Sequence, residues 1–193
     1  MTKRLFDLCL SIFLCIPATF LICLAAIWIK LDSPGPALFK QTRVGRNKEP
    51  FMMLKLRTMR NDTGDRASHE TSASQITNVG KFLRKTKIDE LPQIWSVLRG
   101  DMSFVGPRPC LPVQEQLIAE RASQGAFSVK PGITGSAQLN GIDMSTPKRL
   151  AEADAIYIQN MSFVTDLKYI FMTVLGAGAN DAVGKPWMPS FSK

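Results

Sequence analysis

The longest uninterrupted apolar pattern in the chain comes first. Residues 8–29 read LCLSIFLCIPATFLICLAAIWI without a single charge, long enough for a helix that enters a bilayer. Pro17 falls inside the run, where it removes a helical hydrogen bond and predicts a bend. Lys3 and Arg4 precede the run, while Lys30, Lys40, Arg43, Arg46 and Lys48 follow it. Both flanks therefore carry the charge that marks the cytoplasmic side. A bent helix returning to its own side reconciles these features; a tilted single span is the competing geometry. The run is too long for a signal peptide, and no A-x-A cleavage signal follows it.

After the turn-rich Ser33, Pro34, Gly35 and Pro36 the pattern becomes that of a small domain. Residues 37–41 and 51–58 read as short strands across a polar, glycine-containing connection, which predicts a hairpin with Lys55 and Arg57 on one face. Residues 61–75 are polar and predict a surface loop. Helices are expected over about 77–86, 89–99 and 111–123, the second starting at Asp89 because Pro92 suits a first turn. Thr146 and Pro147 open another helix, to about residue 160, with Leu150, Ala153 and Tyr157 on one stripe and Asp154 beside them. Over 163–175 the apolar set Phe163, Leu167, Ile170, Phe171 and Val174 predicts a helix whose stripe either packs in the core or lies on a membrane surface. Between these, KPGITGSAQLNG reads as a loop whose glycines allow close approach to a ligand or simply make turns. The tail from Gly176 is expected to be loosely ordered.

At 193 residues the chain has room for one domain with a sizeable core, and its net charge of +8 favours an anionic partner. The charge does not choose between nucleic acid, an acidic membrane and a phosphorylated small molecule. No nucleic-acid motif, Walker loop or dinucleotide fingerprint is present, so no nucleic-acid partner is expected. Cys9, Cys15 and Cys23 share the apolar run and Cys110 stands alone, which suggests neither disulfides nor, with His69, a zinc site.

The chemistry concentrates in residues 80–109, GKFLRKTKIDELPQIWSVLRGDMSFVGPRP. Asp89 and Glu90 follow Lys81, Arg84, Lys85 and Lys87, so an acid pair sits in a positive field. A carboxylate at a helix start is held ionised by unsatisfied N–H groups, and a phosphate could share that terminus; a plain helix cap is the alternative. Arg108 is flanked by two prolines that restrict its backbone, which suits bidentate phosphate recognition. Asp154, on an inward helix face, needs either a core cation or a site role.

IDELPQ, RGDMSFVGPRP, KPGITG and the leading KRLFD resemble the bacterial sugar transferases, the monotopic phosphoglycosyl transferases, and the likeness runs from Lys3 to about Val174. The resemblance implies an α+β, mostly α fold. A re-entrant membrane helix at 1–30 would precede a membrane-associated domain at 31–193 with a short β-hairpin and interfacial helices. It implies transfer of a sugar-1-phosphate from a UDP-sugar to undecaprenyl phosphate, with UMP released, at the cytoplasmic face of the bacterial inner membrane. That step begins synthesis of a surface glycan such as O-antigen, capsule or exopolysaccharide. By position Asp89 would be the nucleophile, forming an aspartyl-phosphosugar intermediate and contacting Mg²⁺, and Glu90 the second acid. Lys55, Arg84, Arg108 and Asp154 would bind substrate. The lipid bilayer is an implied partner, and a homo-oligomer is compatible with the family. Three departures stand out: Ser136 replaces a tryptophan, Ile142 an arginine, and Pro17 lies about one turn early for the helix break. A membrane-anchored scaffold would also explain the charge and the apolar helix, but not an acid pair among cations.

Overall fold

The computed structural model describes residues 2–60 and 75–178; all but Gln75 of the loop expected at 61–75, His69 included, and nearly all of the expected loose tail lie outside them. Helix α1 (Thr2–Asp32) continues through Pro17. It is long and apolar enough to cross a membrane, with mean hydropathy 2.6 in its most apolar window. Its buried positions, Asp7, Ser11, Ala18, Ala25 and Ile29, recur at spacings of four and seven and so form one stripe. Small residues on that stripe let the domain approach closely, while Phe13, Ile16, Phe20 and Leu31 point outward. Both ends are bound by the same body. Arg4 donates to the carbonyl of Leu98 at 2.8 Å, and Arg57 donates to the carbonyls of Ser33 and Pro34 at 2.7 Å each.

The predicted hairpin is present as β1 (Leu38–Val44) and β2 (Pro50–Leu56), antiparallel with Phe39 opposite Lys55. Lys55 and Arg57 serve different ends of the domain. Arg57 lies just past the strand and is buried against the exit of α1, whereas Lys55 faces the acid pair. Helices α2 (Asn78–Lys85) and α3 (Gln93–Arg99) follow.

The KPGITG segment is not simply a loop. Residues Gly132–Thr134 form strand β4, parallel to β3 (Ser103–Val105), and Ser136–Leu139 form a short helix, α5. A Cβ on Gly132 would lie 2.1 Å from the Gly106 nitrogen, and one on Gly106 would lie 2.5 Å from the Lys130 carbonyl oxygen. The close approach that these glycines permit is therefore between two stretches of the protein's own backbone.

Helix α4 (Glu115–Ser123) starts later than expected and packs on α6 (Pro147–Gln159), whose Leu150, Ala153, Asp154 and Tyr157 are all buried. Helix α7 (Phe163–Val174) corrects the core-stripe alternative. Phe163, Leu167, Phe171 and Val174 are exposed, the last at 78%, whereas Asp166 is buried. Of the expected stripe Ile170 does meet the core, and with Tyr169 it packs on the cluster that contains Met102, Phe104 and Tyr157. A second core joins α4, α5 and α6, and a third joins α1 to α2 through Ala25, Ile29, Val79 and Leu83. All four cysteines are free.

Candidate active site

The site is built on an elbow between α2 and α3. Thr77 caps α2 by accepting a hydrogen bond from the Gly80 N–H at 3.0 Å, and Thr86 closes it. Lys87 then takes a left-handed conformation, φ 59°, which breaks the helical path and starts a tight 3₁₀ turn over Ile88–Glu90. Only after Pro92 does α3 begin. The expectation that one helix starts at Asp89 is thus corrected: the acid pair occupies its own turn, which directs both carboxyl groups inward.

Asp89 and Glu90 are equally buried, at 7% exposure, yet differ in their partners. Glu90 Oε1 accepts from Lys55 Nζ at 2.9 Å and from Arg108 Nη2 at 3.0 Å. These two cations outweigh the burial that opposes ionisation, and hold the Glu90 carboxyl well below the usual carboxylate range. No described residue gives a hydrogen bond or ion pair to the Asp89 carboxylate. Burial pushes its carboxyl up and Glu90 adds to the rise; Lys55, Arg84 and Arg108 oppose it. The sequence-based picture of an acid simply stabilised by a helix terminus gives way to one that is desolvated within reach of cationic fields. Lys55, in turn, is pushed down by burial against the attraction of Glu90.

Arg84 is held by its Nε, which donates to Thr58 Oγ1 at 2.9 Å. That contact is possible because Gly80 lets α2 lie against Thr58: a Cβ there would fall 2.1 Å from the Thr58 oxygen. Arg108 reaches Glu90 from the Pro107–Pro109 segment, beside a shallow cleft lined also by Arg43, Met53, Lys55 and Gln93. The structure therefore gathers Lys55, Arg84, Glu90 and Arg108 around Asp89.

Asp154 stands apart from that group. Its Oδ2 accepts from Arg121 Nε at 2.9 Å and lies 2.7 Å from Nη2, both side chains being 2% exposed. Burial pushes the Asp154 carboxyl up while Arg121 opposes the rise. Arg121, Thr58 and Gln93 were not singled out from the sequence. Arg121 sits in an ordinary polar-looking helical stretch, and nothing local signals that it is buried.

With respect to metal, no three His, Cys, Asp or Glu side chains come together among the described residues. Of the acid pair, Asp89 accepts no hydrogen bond among the described residues, whereas Glu90 Oε1 already serves two cations. One open carboxylate fits Mg²⁺ in its usual mode, where substrate phosphates and water complete the coordination.

A family model described as bacterial sugar transferase matches residues 1–178. The UDP-glucose:undecaprenyl-phosphate glucose-1-phosphate transferase of Caulobacter vibrioides is 44% identical over 182 residues, covering 89% of this chain and 68% of the relative. An uncharacterized sugar transferase, EpsL, of Bacillus subtilis is 41% identical over 174 residues, covering 89% and 85%. The Escherichia coli UDP-glucose:undecaprenyl-phosphate glucose-1-phosphate transferase is 36% identical over 189 residues, covering 93% of this chain but only 41% of its own length.

Proposed function

The chain belongs to the bacterial sugar transferase family, and from that premise we propose that it moves a sugar-1-phosphate from a UDP-sugar to undecaprenyl phosphate. The observation that carries the mechanism is the asymmetry of the acid pair. Glu90 accepts from both Lys55 and Arg108 through Oε1, while Asp89 is buried, without a hydrogen-bond partner among the described residues, in the field of three cations. Desolvation leaves a carboxylate more reactive, because no hydration shell must be stripped before attack.

In the proposed first step an Asp89 carboxylate oxygen attacks the sugar-bearing phosphorus. The bond from that phosphorus to the bridging oxygen breaks, and the bridging oxygen leaves with UMP. The sugar phosphate remains on Asp89 as an acyl phosphate. In the second step an oxygen of undecaprenyl phosphate attacks the same phosphorus, the Asp89–phosphorus link breaks, and the free carboxylate returns. Two displacements avoid bringing both anionic substrates to one phosphorus at once. Glu90 holds Lys55 and Arg108 together where phosphate oxygens arrive, and the substrate competes with it for their donors. Asp89 would hold Mg²⁺, which supplies neutralising charge at the diphosphate.

On the same reading the domain lies at the cytoplasmic face of the inner membrane, with α1 entering and leaving on one side. Support comes from the binding of both ends of α1 by one body and from the exposed apolar face of α7.

Purified protein in detergent with Mg²⁺, undecaprenyl phosphate and UDP-glucose is expected to release UMP. Donor alone should leave a hexose-phosphate adduct on Asp89, seen by intact mass and peptide mapping. The reading is overturned if a panel of UDP-sugars gives no UMP, or if Asp89→Asn turns over at the wild-type rate.

A further inference from the structure

The Pro107–Arg108–Pro109 segment is gripped from behind by two guanidinium groups. Arg121 Nη1, from α4, donates to the Arg108 carbonyl at 2.7 Å. Arg43 Nη1, from β1, donates to the next carbonyl, that of Pro109, at 3.1 Å. The prolines fix their own φ and restrict the residue before each, but the peptide plane leaving Arg108 is oriented by what its oxygen meets. Here it meets Arg121, whose Nε donates to Asp154 Oδ2 while Nη2 lies 2.7 Å from the same oxygen.

We propose that Arg121 is a positioning residue for Arg108, with Asp154 serving as the counter-ion of Arg121 rather than as a ligand of the substrate. This rests on the reading of Arg108 as a donor-phosphate contact. A fully buried ion pair is a weak source of stability, because its desolvation offsets its attraction. What this pair adds is a charged donor, aimed at one backbone oxygen of the arginine that reaches Glu90. An arginine displaced by an ångström would lose its alignment with the reacting phosphate. The spacing in sequence, with Arg108, Arg121 and Asp154 on three different segments, hides this chain of contacts from any local pattern.

The test is a double-mutant cycle on the full chain in detergent. Arg121→Met combined with Asp154→Leu removes the charges together, which avoids stranding either one in the core. In an otherwise wild-type chain this pair of changes is expected to lower kcat/KM for the UDP-sugar by about tenfold to a hundredfold. In an Arg108→Ala background it should cost no more than about twofold, since the residue it positions is gone. Equal losses in both backgrounds would overturn the proposal and leave Arg121 a structural residue. If the double variant shows no cooperative melting, Arg121→Lys replaces it in the cycle. Lysine keeps the charge but cannot serve Asp154 and the Arg108 carbonyl through two arms of one rigid fork. Calorimetric binding of UDP gives the same cycle without turnover. Absence of UMP release by the wild type thus counts against the reading of function, and additivity in the UDP dissociation constants counts against the positioning role.

Discussion

Two buried acidic regions of this protein are handled in opposite ways. Near the start of α1, Asp166 receives Lys3 and the Tyr157 hydroxyl, the latter at 2.7 Å. Asp7 accepts from Ser103 Oγ at 3.1 Å and from the Phe104 N–H at 3.2 Å. These acids tie α1, β3, α6 and α7 together, and Tyr157 keeps its proton because burial and its bond to Asp166 push the phenol up. Around the elbow, Glu90 is held in the same manner but Asp89 is not. Burial alone therefore does not separate structural from reactive carboxylates; the supply of donors does.

Asp89→Asn puts this contrast under the greatest load. Its UMP release should fall by about a thousandfold or more, the scale of losing a nucleophile. The same change should raise thermal stability at neutral pH. An acid whose folded pKa lies above its unfolded value contributes stability that is complete below the unfolded pKa and is lost as pH rises through the folded one. Removing Asp89 thus removes a penalty present at pH 7 and absent near pH 3. A melting temperature that falls in Asp89→Asn would show that this carboxylate is structural after all.

Asp166→Ala should do the reverse. Stranding Lys3 and Tyr157 is expected to cost about 2 kcal/mol of stability, measured by chemical denaturation in detergent. UMP release per folded molecule should stay within about threefold of wild type. Glu90→Gln tests the member of the pair that resembles Asp166. Because its folded pKa is lowered, its stability contribution is present above the unfolded carboxylate range and disappears as pH falls through the folded value. The variant should melt below wild type at pH 7, with the gap narrowing toward pH 3. The smallest effect is expected from Phe171→Ser on the exposed face of α7. It should weaken partition into liposomes by a few fold while leaving the melting temperature within about 2 °C, since the side chain is exposed rather than in the core and, on the proposed function, faces the membrane.

What the sequence made legible, and what it hid, follows from range. The apolar run of α1, the hairpin and the Thr77 and Pro147 helix starts are local signals, and each is found where residues of those types place it. The left-handed turn at Lys87 is not legible, because nothing in a lysine announces positive φ. The pairing of β3 with β4 joins two three-residue strands through a glycine contact between distant segments, too short for any periodicity. Helix α7 misleads for a different reason: an apolar stripe has the same period whether it faces a core or a lipid surface. Within the candidate site, residue types and charges were readable from the motifs and the resemblance. The inequality of Asp89 and Glu90 was not, because it depends on Lys55 and Arg108 arriving from elsewhere in the chain.

Lys55 and Arg57 together also set a depth. Two positions apart, they are separated by about 7 Å of extended chain. Arg57 is fastened to the carbonyls where the chain leaves α1, and Lys55 to the acid beside Asp89. The apolar helix and the reacting centre thus share a single yardstick. On the proposed function a lipid substrate would bring its phosphate in at a fixed depth, and Lys55 would have its altitude gauged from the exit of the long apolar helix.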